Sequence, residues 1–176
     1  MTSQRRESVF VASAVLAAIA MSAVPPHASA QSTLATISSL SGDWEGTFEW
    51  SGARHGSGSV TAHYFVTGGG SAVVENLTFG GKVMMTSVYH TDDVDLRMTH
   101  FCASGNQPRL RASGSDIAPQ TIRFRFVDVT NLASASAGHL RGVEMRLGEA
   151  GRLTLLFTYV TDEEESVEKI ELVRSE

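Results

Sequence analysis

Ten short runs of alternating apolar and polar residues, each closed by a turn signal, constrain this chain more than any other feature. They are Gly42–Trp50, Ser59–Thr67, Ser71–Phe79, Lys82–Thr91, Val94–Ala103, Gln107–Ala112, Gln120–Val127, Leu140–Leu147, Arg152–Val160 and Ser166–Val173. A period of two is the signature of a half-buried strand. The first run shows it most plainly: Trp44, Gly46, Phe48 and Trp50 share one face, and Asp43, Glu45 and Glu49 share the other. Glycine and acidic clusters separate the runs, notably Gly52–Gly58, Gly68-Gly69-Gly70, Gly80-Gly81 and Asp92-Asp93. No long amphipathic helix interrupts them. Such a meander has exposed edges unless it closes on itself. The expectation is an all-β, antiparallel up-and-down barrel of about ten strands over residues 42–176, with a two-sheet sandwich as the alternative. The run Asp162–Glu165 reads as a solvated hairpin tip.

The segment before the first strand is of another kind. Arg5 and Arg6 precede an apolar stretch, Val9 to Val24, and Ala28-Ser29-Ala30 has the small-x-small form of a cleavage site. Residues 1–30 therefore read as a signal peptide. The stretch is shorter than the roughly 18 to 20 apolar residues of a membrane span, and Pro25-Pro26 follows it. Cleavage would start the mature chain near Gln31, in the periplasm or outside the cell, with no stable membrane insertion. Residues 31–41 then form a lead segment, such as a helical turn covering one end of the fold. Losing two arginines and one glutamate takes the formal net charge from −5 to −6. That sign argues against nucleic acid as a partner. A single cysteine forms no internal disulfide, so stability must come from the core.

Met84–Arg109 carries the densest chemistry: His90, His100, the lone Cys102 and an Asn106-Gln107-Pro108-Arg109 cluster. With Asp92-Asp93 as a two-residue turn, Tyr89 falls opposite Leu96, Ser87 opposite Met98, and Met85 opposite His100. Those six share the face with the larger side chains, which places it inside. His90, Val88, Thr86, Asp95, Arg97 and Thr99 then face out. His139 is expected near the surface where a strand begins. Candidate ligand contacts are Met85, Tyr89, Met98, His100, Cys102, Gln107 and Arg109. An inward Arg109 would need a carboxylate or ligand partner, with Glu75, Glu144 or Asp128 available. His100 is read either as a hydrogen-bonded core histidine or as a ligand contact. Cys102 is read chiefly as a small buried apolar group.

Several chemistries lack their residues. There is no Cys-x-x-Cys, His-Glu-x-x-His or clustered carboxylate–histidine set to hold a metal. Gly68-Gly69-Gly70 is not followed by the Lys and Ser/Thr of a phosphate loop. No Gly-x-Ser-x-Gly elbow marks a serine nucleophile. No metal, cofactor or catalytic residue is implied by these patterns.

Gly42-x-Trp44-x-Gly46 resembles the opening strand of the lipocalin-like, or calycin, group. Tyr89-His90, Thr99-His100-Phe101-Cys102 and Gly105-Asn106-Gln107-Pro108-Arg109 resemble a family of uncharacterised bacterial lipocalin-like proteins. The resemblance implies a barrel with an interior pocket, with Trp44 packed across its floor, and carries no activity. The same opening is similar to that of the nitrobindins, haem-binding ten-stranded barrels whose axial histidine lies near the C-terminus. Residues 140–176 contain no histidine, so a haem reading would fall to His100. The expected partner is a small apolar or amphipathic molecule. Haem held by His100, and an enzyme using His100 as acid or base, are the alternatives.

Overall fold

The computed structural model describes residues 26–162 and 164–176. The charged and apolar parts of the expected signal peptide lie outside the described residues, as does Glu163. The ten alternating runs all form strands: β1 (Gly42–Gly52), β2 (Gly56–Thr67), β3 (Ala72–Phe79), β4 (Lys82–Asp92), β5 (Asp95–Phe101), β6 (Gln107–Ala112), β8 (Thr121–Thr130), β9 (His139–Leu147), β10 (Arg152–Thr161) and β11 (Glu164–Arg174). A two-residue strand, β7 (Ile117–Ala118), adds itself beside β8. The sheet runs β6-β5-β4-β3-β2-β1-β11-β10-β9-β8, every pair antiparallel, and β6 also pairs with β8. That last pairing closes a ten-stranded barrel and leaves none of those ten strands as an edge.

Alternation decides what fills the interior. Trp44, Ala62, Tyr64, Val73, Leu77, Tyr89, Met98, Leu110, Phe124, Met145, Leu155, Phe157, Ile170 and Leu172 point inward and are buried. Outward positions carry ion pairs such as Arg123–Glu144 at 2.8 Å and Lys169–Glu171 at 2.9 Å. A cross-strand Cβ is missing where strands approach closely. At Gly46 it would sit 1.8 Å from the Glu171 carbonyl oxygen.

The two ends differ. At one, the floor, lies α1 (Pro26–Ser38), longer than the single turn expected and starting upstream of the expected cleavage point. Its Ala30, Leu34 and Ile37, with Leu40 just beyond, are buried at spacings of three and four, one face of a helix. The Trp44 indole N–H donates to the Leu40 carbonyl at 2.8 Å. Arg174 donates to the carbonyls of Ser39 and Ser41 at 2.8 and 2.7 Å and lies over the Trp44 ring. These donors hold the carbonyls of the Ser39–Ser41 turn, whose own backbone N–H groups satisfy the last carbonyls of the helix. The other end, the mouth, is framed by the turns β1–β2, β3–β4, β5–β6, β8–β9 and β10–β11. Among the described residues no helix is long and apolar enough to cross a membrane.

The central hairpin is registered two residues away from expectation. Asp92 pairs with Asp95, Tyr89 with Met98, and Ser87 with His100. The turn is Asp93-Val94, with Asp93 in the left-handed region at φ 54°. Arg97 explains the choice. It reaches Asp92 at 3.0 Å and Asp95 at 3.2 Å, neutralising two acids brought face to face. A slip of two keeps every side chain on its face, where a slip of one would have exchanged them.

Candidate functional site

A polar chain crosses the middle of the barrel. Glu75, wholly buried on β3, accepts from the hydroxyls of Tyr64 on β2 and Tyr89 on β4, the latter at 2.9 Å. Ser87, beside Glu75, favours its charged form, and Ser87 Oγ lies 3.0 Å from His100 Nδ1 on β5. Burial raises the Glu75 carboxyl above its ordinary range, and the three hydroxyls partly offset it. Burial first, and the Glu75 charge second, push both tyrosines up. Burial alone lowers His100 to about 4. The chain satisfies polar groups that four adjacent strands bury, as interior polar groups require.

His100, Tyr89 and Met98 are thus inside, as expected, and almost fully enclosed. His100 is 1 % exposed and lies against the Phe157 ring at 5.6 Å. An iron ligand needs its free nitrogen to face a space as wide as a porphyrin. With a ring sealed between Ser87 and Phe157, the residues present do not fit haem. Met85 and Cys102 stand on the same inward face, nearer the mouth and half-buried.

Gln107 and Arg109 correct the expectation. Pro108, Leu110 and Ala112 take the inward positions of β6, which turns Gln107 and Arg109 outward. Arg109 pairs with Asp128 through two bonds of 2.6 Å across the β6–β8 seam. Gln107 Nε2 donates to the Gly105 carbonyl, and its Oε1 accepts from Thr130. Both fasten the closing seam and neither lines the interior. His139 opens β9, as expected, but its Nε2 is buried without a hydrogen-bond partner among the described residues rather than lying at the surface.

The mouth gathers residues the expected set omitted. Phe48 and Phe79 meet edge-to-face at 5.2 Å. Together with Trp50 and Met85 they remain half-buried, while the side chains deeper in the barrel are covered. Beside Trp50 the rim is tied shut, and the Trp50 ring itself meets Tyr159 edge-to-face at 6.2 Å. The Tyr159 hydroxyl bonds Ser104 at 3.1 Å, Arg54 lies 3.8 Å over the Tyr159 ring, and Asn106 Nδ2 donates to the Gly138 carbonyl at 2.9 Å. Gly138 has no room for a Cβ because the Tyr159 hydroxyl occupies that place. Beneath Trp50 lies Glu168, 3 % exposed. Burial raises its carboxyl to about 7, against weaker opposing effects from Arg54 and the Trp50 N–H. Among the described residues no group of three or more His, Cys, Asp and Glu side chains could hold a metal ion.

No family model matches the chain, and no curated protein matches it. Among solved structures, the crystal structure of Rv2717c from M. tuberculosis is similar, with a TM-score of 0.55 at 14 % identity. The match covers 81 % of this chain and 97 % of that one. At that identity the likeness concerns the barrel alone.

Proposed function

We propose that this chain is an exported barrel that takes a small apolar or amphipathic molecule at its mouth rather than deep in its interior. The carrying observation is the contrast between the two levels: Phe48, Trp50, Phe79 and Met85 stay half-exposed at one end, whereas Tyr89, Met98 and His100 are sealed. Small-molecule sites are concave and largely apolar, with a few placed polar groups. Export rests on the Arg5-Arg6, Val9–Val24 and Ala28-Ser29-Ala30 pattern. A catalytic use of His100 has less support, since a sealed ring with a pKa near 4 is a weak base at neutral pH.

A thermal-shift screen of apolar and amphipathic compounds tests this reading. A compound present at about 100 times its dissociation constant adds about 2.7 kcal/mol of stability. The expected result is a hit whose stabilisation disappears in Phe79→Lys, where a charge enters the rim. No hit, or equal stabilisation of both proteins, would contradict it.

A further inference from the structure

Glu168 is set apart from the other buried acids by how little surrounds it. Glu75, the other deeply buried carboxylate, receives the hydroxyls of Tyr64 and Tyr89, one on each oxygen. Asp116 and Asp95 receive arginines, Asp116 from Arg125 at 2.5 Å and Asp95 from Arg97 and Arg111. Among the described residues no such ion pair reaches Glu168, although Arg54 and Trp50 both favour its charged form. A carboxylate offers about four acceptor positions, so Glu168 keeps the capacity to accept from a guest.

A cation is close by and turned elsewhere. Arg54, in the β1–β2 turn, acts on Glu168 only through space. Its guanidinium lies over the rings of Tyr159 and Trp50, 3.8 and 5.1 Å from their centroids, and its backbone N–H donates to Ser166 Oγ at 3.0 Å. The aromatic faces at this rim therefore already hold one cation, and that side chain is exposed. Its displacement would uncover Trp50, Tyr159 and the carboxylate below them. Trp50 pairs with Glu168 across β1 and β11. Phe48 lies two residues from Trp50 on the same inward face, packed on Phe79.

We propose that Glu168 anchors an amphipathic guest by its positively charged, hydrogen-bond-donating head, an ammonium above all, while the guest's apolar body lies against Trp50, Phe48 and Phe79. The inference rests on the mouth reading above and names its ligand class: organic amines rather than fatty acids. Arg54 is the cation the guest displaces. Charge-assisted bonds to a desolvated carboxylate are stronger than neutral ones, so the head group supplies the selectivity and the aromatic wall the rest.

Three probes of one shape separate the parts: naphthylmethylamine, naphthylmethanol and naphthoate, titrated calorimetrically at about pH 8.5, where the amine is largely charged and Glu168 ionised. The amine should bind at least about tenfold more tightly than naphthoate. Glu168→Gln, which keeps the side chain's shape, should weaken the amine about tenfold and leave the alcohol within about twofold. Arg54→Ala, which removes the competing cation, should tighten the amine; this arm stands even if Glu168→Gln folds poorly. Naphthoate binding as tightly as the amine, or an amine affinity indifferent to both variants, would overturn the anchor while alcohol binding left the mouth intact. Failure of all three probes to bind would take down the mouth reading and the anchor with it.

Discussion

Two buried groups, His100 and Glu168, give opposite dependences of stability on pH. His100 moves from 6.5 to about 4 on folding. Between those values the unfolded chain binds the proton and the folded one does not. Its contribution is therefore present above 6.5 and lost as pH falls through about 4, and is about 3 kcal/mol in size. Glu168 moves from 4.5 to about 7. Its contribution is present below 4.5 and lost as pH rises through about 7, with a similar magnitude of about 3 kcal/mol. Glu75, raised by burial, acts in the same direction as Glu168. In the parent the His100 trend opposes those of the two acids between pH 4.5 and 6.5. Relative to the parent, urea titrations across that window should show Glu168→Gln gaining stability as pH rises and His100→Gln losing it. Identical pH profiles for the two variants would refute these assignments. Neither acid was singled out as buried from the sequence, where Glu75 figured only as a partner for Arg109, yet the parity that marks them is there. Glu75 falls in step with Val73 and Leu77, and Glu168 with Ile170 and Leu172, so each sits on the apolar parity of its strand. Arg109 was not legible, because alternation within β6 does not say which face is inside until β8 is known to pair with it.

Elements depend on a few close contacts. β1 passes so near β11 at Gly46 that a methyl group there would overlap backbone. Gly46→Ala should cost about 3 kcal/mol, the scale of forced overpacking, read as a lowered urea midpoint; an unchanged midpoint would mean the strands can part freely. The floor helix contributes by burial. A chain of residues 31–176 retains Leu34, Ile37 and Leu40 and should keep most of the parent stability. A chain begun at Ser41 loses those three buried side chains and about 5 kcal/mol. Equal melting temperatures for the two truncated chains would show that the helix does not support the floor. Strand positions were readable from period and turn residues alone. The register of β4 on β5 was not, because it depends on Arg97 bridging Asp92 and Asp95, a contact that exists only once the hairpin has formed.

At the scale of the whole molecule the barrel is closed by the β6–β8 pairing, filled by its inward side chains and covered by the helix at one end. Ten alternating runs with short turns were enough to indicate closure, since an open ten-stranded meander would leave two long edges. The level of the proposed site was not written in the period, because every inward residue looks alike until the helix shows which end is covered. Methionine methyl groups report on that level. Residues 31–176 contain four: Met84, exposed outside; Met85, at the mouth; and Met98 and Met145, fully buried. The most direct measurement is the methyl spectrum of methionine-labelled protein titrated with naphthylmethanol. The Met85 resonance should move in a saturable way while Met98 and Met145 stay in place. Saturable shifts at Met98 and Met145, or none at Met85, would contradict a binding site at the mouth of a filled barrel.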